Sequence, residues 1–149
     1  MTPAALETYL HDHIPLSRAM AVRVVSSAPG HVELSAPLGP NINVHGTAFG
    51  GSVSTLGVLA AWSALHLRLD QEAIACQLVI HRSQIDYLAP IAGDFTAIAR
   101  LDEANWPAFL HMLTRRGKAR LTVVAELSFA GQVAARLTGE FVTIAEPHA

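Results

Sequence analysis

The stretch Asn41-Ile42-Asn43-Val44-His45-Gly46-Thr47-Ala48-Phe49-Gly50-Gly51-Ser52 decides how the rest of the chain is read. It is a polar loop that ends in two consecutive glycines and runs straight into an uncharged segment. From about Gly51 to Leu69, the residues Val53, Leu56, Val58, Leu59, Trp62, Leu65, Leu67 and Leu69 leave no wide polar face. A helix apolar on every side must be wrapped on several sides, so this segment predicts a central helix around which a fold is built. The 17 residues from Phe49 to Leu65 contain three Gly and four Ser/Thr and lead into His66 and Arg68. That reads as a buried core helix and not as a membrane span.

Working outward, the flanks alternate in a way that predicts strands. Upstream, Thr2-Pro3 reads as an N-cap with Pro at the first helical position, opening a short helix through Leu6, Leu10 and Ile14 that Pro15 stops. Ala21 to Ser27 and His31 to Ala36 are strand-like, with Pro29-Gly30 as the turn between them. The loop from Pro37 to Gly50 then leads to the central helix. Downstream, Ile74 to Leu88 is one long run whose apolar parity passes through Ile74, Cys76, Leu78 and Ile80 and then shifts to Ile85 and Tyr87. Such a shift predicts a bulge or a change of buried face. Phe95 to Leu101 follows a Gly93-Asp94 turn. Arg120 to Phe129 and Val133 to Ile144 form a hairpin about Ala130-Gly131-Gln132. Between them Asn105 to Gly117 reads as a helix, with Asn105 as N-cap, Gly117 as C-cap and Trp106, Phe109, Leu110 and Leu113 as its stripe. About six antiparallel strands curled around one apolar helix, in a single α+β domain over 1–149, is the expected architecture.

Composition narrows the function. The chain is 51% hydrophobic and 15% charged, which predicts a large buried area or a self-associating surface. A net charge of −2 argues against a nucleic-acid module. The single cysteine, Cys76, allows no intrachain disulfide and reads as core, in keeping with a reducing, cytoplasmic setting. The N-terminal MTPAALETYLHDH lacks a basic region followed by an apolar stretch, so no secretory signal is expected. No cofactor and no metal are expected, because His11 and His13 sit off a common helix face and no other ligand spacing is present.

The loop and helix start resemble the signature of small hotdog-fold thioesterases, in which Asn and Gly precede His-Gly-Gly and the central helix. Ile85-Asp86-Tyr87-Leu88-Ala89-Pro90, closed by Gly93-Asp94, resembles the third strand and turn of the same superfamily. The resemblance implies that the backbone at Gly50 and Gly51 admits an acyl thioester, whose carbonyl is held by free N–H groups and the positive end of the helix dipole. It departs from the hydrolytic pattern in two ways. Phe49 replaces the His of His-Gly-Gly, and no carboxylate lies between Phe49 and Leu69 to activate water. Asn41-x-Asn43 followed by Thr47-Ala-Phe49-Gly-Gly-Ser52 is similar to a narrower group, found alone or fused behind an acetyltransferase-like domain. That group is associated with decarboxylation of malonyl-ACP to acetyl-ACP, which primes fatty acid synthesis.

The resemblance implies Asn43 and Thr47 as the polar catalytic pair with the Gly51 N–H in the oxyanion site, assisted by His45 or Asn41. Phe49, Gly50, Ser52, Ser83 and Tyr87 are expected to contact substrate. Arg115, Arg116, Lys118 and Arg120 either complement a helix dipole as a solvated cluster or dock an acidic acyl-carrier protein or coenzyme A phosphates. The alternatives are a thioesterase using His45 or Asp86 as an unusual base, and a non-catalytic acyl-thioester binding module. A homodimer, or a dimer of dimers, is expected because hotdog sheets pair edge to edge.

Overall fold

The computed structural model describes residues 1–147. Helix α1 (Pro3–His13) begins as expected, with Thr2 Oγ1 accepting from the Ala5 amide at 3.1 Å. Pro15 does more than stop it. A second short helix, α2 (Pro15–Ala19), starts on that proline. Proline ends one hydrogen-bond ladder because it lacks an N–H, yet its fixed φ suits the first position of the next helix. Ala21 then takes a left-handed φ of 56°, so strand β1 (Arg23–Ala28) starts two residues later than its apolar pattern suggests.

Strand β2 (His31–Ala36) returns from the Pro29-Gly30 turn, where Gly30 has φ 80°. The central helix α3 spans Gly50–Gln71, followed by β3 (Cys76–Tyr87) and β4 (Phe95–Arg100). Helix α4 (Trp106–Arg116) precedes the hairpin of β5 (Lys118–Phe129) and β6 (Gln132–Ala145). Gly117 caps α4 in the left-handed conformation, as its position implies. Asn105 does not cap α4 with its side chain. Its Nδ2 donates to Asp102, and Asp102 caps the preceding turn by accepting from the Ala104 amide. Asn105 has φ −88° and ψ −9°, in the right-handed helical region and not in the extended conformation from which a cap side chain accepts the first helical amides.

All six strands join one antiparallel sheet in the order β1-β2-β4-β5-β6-β3. The sheet wraps α3, whose Leu56, Ala60, Ala61, Ala64 and Leu65 are fully buried. At Gly57 helix and sheet come closest: a Cβ there would meet Leu127 at 3.2 Å and Leu137 at 3.3 Å. Beyond the far end of α3, Trp106 anchors α4 by donating to Glu72 at 3.3 Å, with the Arg68 guanidinium 4.4 Å above its ring.

The two sheet edges are treated differently. On β1 the outer edge is blunted by α1, since Glu7 accepts from the Val24 amide at 2.9 Å and His11 Nε2 meets the Val22 carbonyl at 2.7 Å. On β3 no strand pairs with the outer edge among the described residues; Trp62 Nε1 donates to the Leu78 carbonyl at 3.1 Å, and Val79 and Ile80 stand 51% and 38% exposed. The expected parity change in β3 is a bulge: Ile80 pairs with Phe141 and Arg82 with Glu140, leaving His81 as the extra residue.

Candidate functional site at the start of the central helix

The loop before α3 is organised by its two asparagines in different ways. Asn41 is 2% exposed, and its Nδ2 donates to the Met20 carbonyl at 2.9 Å and the Pro37 carbonyl at 2.8 Å. Its own carbonyl accepts from the Phe49 amide at 2.7 Å. Asn41 therefore fastens both ends of the loop to the body of the fold, with both amide protons engaged. Asn43 builds the tip. Its Oδ1 accepts from the amides of His45 (2.8 Å) and Thr47 (3.1 Å), an arrangement typical of Asx turns, and Gly46 supplies the φ of 80° that closes it.

From this position Asn43 Nδ2 donates to Thr47 Oγ1 at 2.8 Å and, at the longer distance of 3.4 Å, to the Ala48 carbonyl. A hydroxyl has one proton and two lone pairs. With one lone pair taken by Asn43, the Thr47 proton is directed elsewhere, and no acceptor among the described residues takes it. The expected pair is thus in direct contact, and Thr47 presents a donor polarised by the amide behind it.

The helix start supplies the rest. Phe49 occupies the N-cap position and offers no side-chain cap. The Val53 amide bonds the Phe49 carbonyl at 3.1 Å, whereas the amides of Gly50, Gly51 and Ser52 have no backbone acceptor. Three N–H groups at the positive end of a helix of 22 residues therefore have no partner among the described residues. Both glycines lie directly under an aromatic side chain. A Cβ on Gly51 would collide with the Phe49 ring, which is itself 57% exposed. A Cβ on Gly50 would sit 3.3 Å from the Tyr87 hydroxyl, which donates to the Gly50 carbonyl at 2.8 Å. Beside them a pocket of about 320 Å³ is lined by Ala48, Val53, Tyr87, Leu88, Pro90 and Ile91.

Other candidates lie apart from this cluster. The side chain of His45 is at the exposed loop tip and makes no hydrogen bond among the described residues. Ser83 faces the helix side of the sheet opposite Gly139, four residues from Tyr87 and so about 13 Å away along the strand. Asp86 alternates with Tyr87 and pairs with Arg136, which puts it on the outer face of the sheet, away from α3. His81 Nε2 and Arg120 both approach Glu140, at 4.0 and 3.6 Å. Arg115, Arg116 and Lys118 have no carboxylate within salt-bridge distance among the described residues, and they sit at the opposite end of the sheet from Tyr87. Cys76 is half-buried, and burial, followed by the nearby Glu146, pushes its thiol pKa up, away from the reactive thiolate.

Apart from Tyr87, the pocket lining carries no signal in the sequence, and neither does an aromatic stack. The pocket draws mostly apolar residues from separate segments, and no motif marks such a set. In the stack, Tyr9 lies parallel to His13 (4.3 Å between centroids) and His66 (5.3 Å), and His66 to Trp62 (4.6 Å). Burial holds His66 below its ordinary pKa, against the opposing pull of Asp70.

A six-stranded antiparallel sheet around one central helix, with free amides at the glycine-rich helix start, defines a hotdog-fold protein of the thioesterase superfamily. More narrowly, the chain belongs to the family described as Putative thioesterase (yiiD_Cterm), whose model matches residues 3–145. Among solved structures it is similar to a protein of unknown function from Chlorobaculum tepidum, at 30% identity, covering 97% of this chain and 98% of that one, with a TM-score of 0.91. A putative thioesterase from Shewanella oneidensis is 30% identical over 95% and 96% of the two chains, with a TM-score of 0.85. A protein from Pseudomonas aeruginosa described as a probable thioesterase is 25% identical over 97% of each chain, with a TM-score of 0.83. Among the described residues no helix is long and apolar enough to cross a membrane.

Proposed function

We propose that this acyl-thioester enzyme decarboxylates a malonyl thioester, carried on acyl-carrier protein, to the acetyl thioester. The observation that carries the reading is a helix start with three free amides and a polarised Thr47 hydroxyl, on a helix with no carboxylate before Asp70. In the reaction the bond between the malonyl carboxylate carbon and C2 breaks, carbon dioxide departs, and the electron pair passes through C2 to the thioester oxygen. The Gly51 amide and the Thr47 hydroxyl would hold that enolate oxygen, acting as an oxyanion site that is already oriented. Asn43 positions Thr47 and keeps its proton turned outward. C2 then takes one proton from solvent, and the C–S bond stays intact.

This chemistry needs no water-activating base. Hydrolysis does need one, and within one chain the two residues considered for it are poorly sited. Asp86 is on the outer face of the sheet, and His45 is at the exposed loop tip. The family description as a thioesterase keeps hydrolysis as the rival reading. The protein would act as a homodimer, through the open edge of β3. The test is to follow carbon dioxide and free carrier thiol together during incubation with malonyl-ACP. Carbon dioxide without thiol supports the proposal, and thiol released in step with substrate loss refutes it.

A further inference from the structure

The pocket of about 320 Å³ beside the helix start has walls of one chemical kind. Seven of its eight lining residues are apolar, and the eighth is Tyr87, whose hydroxyl proton is already given to the Gly50 carbonyl. The backbone of the walls offers little more. The Ala48 amide donates to the Ile91 carbonyl at 2.8 Å, and the amides of Leu88 and Ala89 share the Ala134 carbonyl at 2.8 and 3.1 Å. The Val53 amide is taken by the Phe49 carbonyl, and Pro90 has no N–H. Among the described residues no charged side chain lines the pocket.

Such walls receive one kind of group well. An ionised carboxylate moved there from water would lose its hydration and meet no cation. An alkyl group would gain, because each methylene taken out of water tightens binding about fourfold. The pocket has about ten times the volume that one water takes in the liquid, room for a branch of several carbons.

The segments that hold the proposed oxyanion site also set the pocket's position. Ala48 follows Thr47, Val53 lies within one helical turn of Gly51, and Tyr87 reaches back to Gly50. With the thioester oxygen on the Thr47 hydroxyl and the Gly51 amide, C2 is one bond beyond the carbonyl carbon, at the mouth of the pocket. An unbranched malonyl group carries only hydrogens on C2 and leaves the apolar walls unfilled.

We infer that the pocket is a subsite for an alkyl branch on C2, and that the protein takes 2-alkylmalonyl thioesters, 2-methylmalonyl in preference to malonyl itself. The inference rests on the decarboxylation reading above and names the substrate class of the same site. The bond between C2 and the carboxylate carbon breaks, carbon dioxide leaves, and the electron pair passes through C2 to the thioester oxygen. C2 takes one proton from solvent and the C–S bond stays intact, so 2-methylmalonyl gives a propionyl thioester where malonyl gives acetyl. Seating the branch also restrains rotation about the bond from C2 to the carbonyl carbon, which keeps the carboxylate on the solvent side.

The test is an internal competition. Malonyl-ACP and 2-methylmalonyl-ACP are mixed in equal amounts with the pure protein, and early acetyl-ACP and propionyl-ACP are quantified by mass spectrometry. Their ratio is the ratio of kcat/KM, and it should favour propionyl-ACP by about fourfold, the gain for one buried methyl. Ala89→Leu fills the pocket from its rim, and Leu88→Ala removes part of its wall. Both positions are exposed, so the fold is kept, and both changes should bring the ratio to parity or below. A second series needs no turnover. Pantetheine thioethers bearing acetonyl, 2-oxobutyl and 2-oxopentyl groups mimic the acetyl, propionyl and butyryl thioesters, and they can neither lose carbon dioxide nor be hydrolysed. Their Kd by calorimetry should fall about fourfold with each added methylene in the wild type and stay level in Ala89→Leu. A wild-type ratio at parity or favouring acetyl-ACP, a ratio unmoved by both variants, or a Kd that ignores chain length overturns the inference and leaves malonyl decarboxylation standing. Conversion of neither substrate refutes the decarboxylation reading and the substrate class with it, and the ketone series then decides whether the pocket is an alkyl subsite.

Discussion

Substituting Gly51→Ala separates what the helix start does for folding from what it does for chemistry. Gly51 is the second residue of α3 and its φ lies outside the left-handed region, so the backbone accepts alanine. Alanine in a helix is favoured over glycine by up to about 1 kcal/mol. Against this, the new methyl would collide with the Phe49 ring. That ring is more than half exposed and can rotate away, so relocating it costs little packing. The net change in stability should be between zero and about +1 kcal/mol, or up to about 4 °C in Tm for a chain of this size. Catalysis should respond in the opposite sense. On the proposed reading the methyl and the displaced ring would both stand where the thioester oxygen approaches the free amide, and losing one oxyanion donor costs about 10²- to 10³-fold in kcat. Thermal unfolding and carrier mass spectrometry on the same preparation check both halves. The double variant Phe49→Ala/Gly51→Ala removes the displaced ring, and should recover only the part of the loss due to that ring. A fall in Tm of several degrees, or full activity in Gly51→Ala, would refute the reasoning.

Four further outcomes follow from the same geometry. Thr47→Val keeps the shape but removes the outward proton, so kcat should fall about 10²-fold while Tm changes little; Thr47→Ser should recover much of the rate. Asn41→Ala strips two carbonyls of their buried donor and should cost about 1–3 kcal/mol by urea unfolding, with activity lost through the loop and not through chemistry. Trp106→Ala empties a buried site between α3 and α4 and should cost about 3–5 kcal/mol by the same measurement. His66 is held below its ordinary value of 6.5 in the fold, so on acidification the unfolded chain takes up the proton first. Its contribution to stability is therefore present above about pH 6.5 and lost as pH falls towards the depressed pKa, and urea titrations of His66→Phe should show a flatter slope over that range.

The order of elements and the bulge in β3 were readable in the sequence because both follow from side-chain periodicity, which survives without any tertiary information. The same holds for the glycines at 50 and 51 and for the Gly117 cap. What periodicity could not supply was partner identity. Asn41 and Asn43 are the same residue type two positions apart. Only the carbonyls of Met20 and Pro37, brought in by the fold, make the first a fastener and leave the second to face Thr47. Asp86 looked adjacent to the site in sequence, and the strand pleat turned it to the other face. Pro15 was read as a stop because it breaks one hydrogen-bond ladder, although the same ring begins the next helix. The distance between the helix start and the α4 cations depends on strand pairing across the whole sheet, which no local pattern encodes.

The most direct measurement is the mass of the carrier species after malonyl-ACP is incubated with the pure protein. The expected product is a carrier lighter by one carbon dioxide, still acylated as acetyl-ACP, with the conversion lost in Thr47→Val. Recovery of free holo-carrier without an acetyl intermediate, or of malonyl-ACP unchanged, would contradict it.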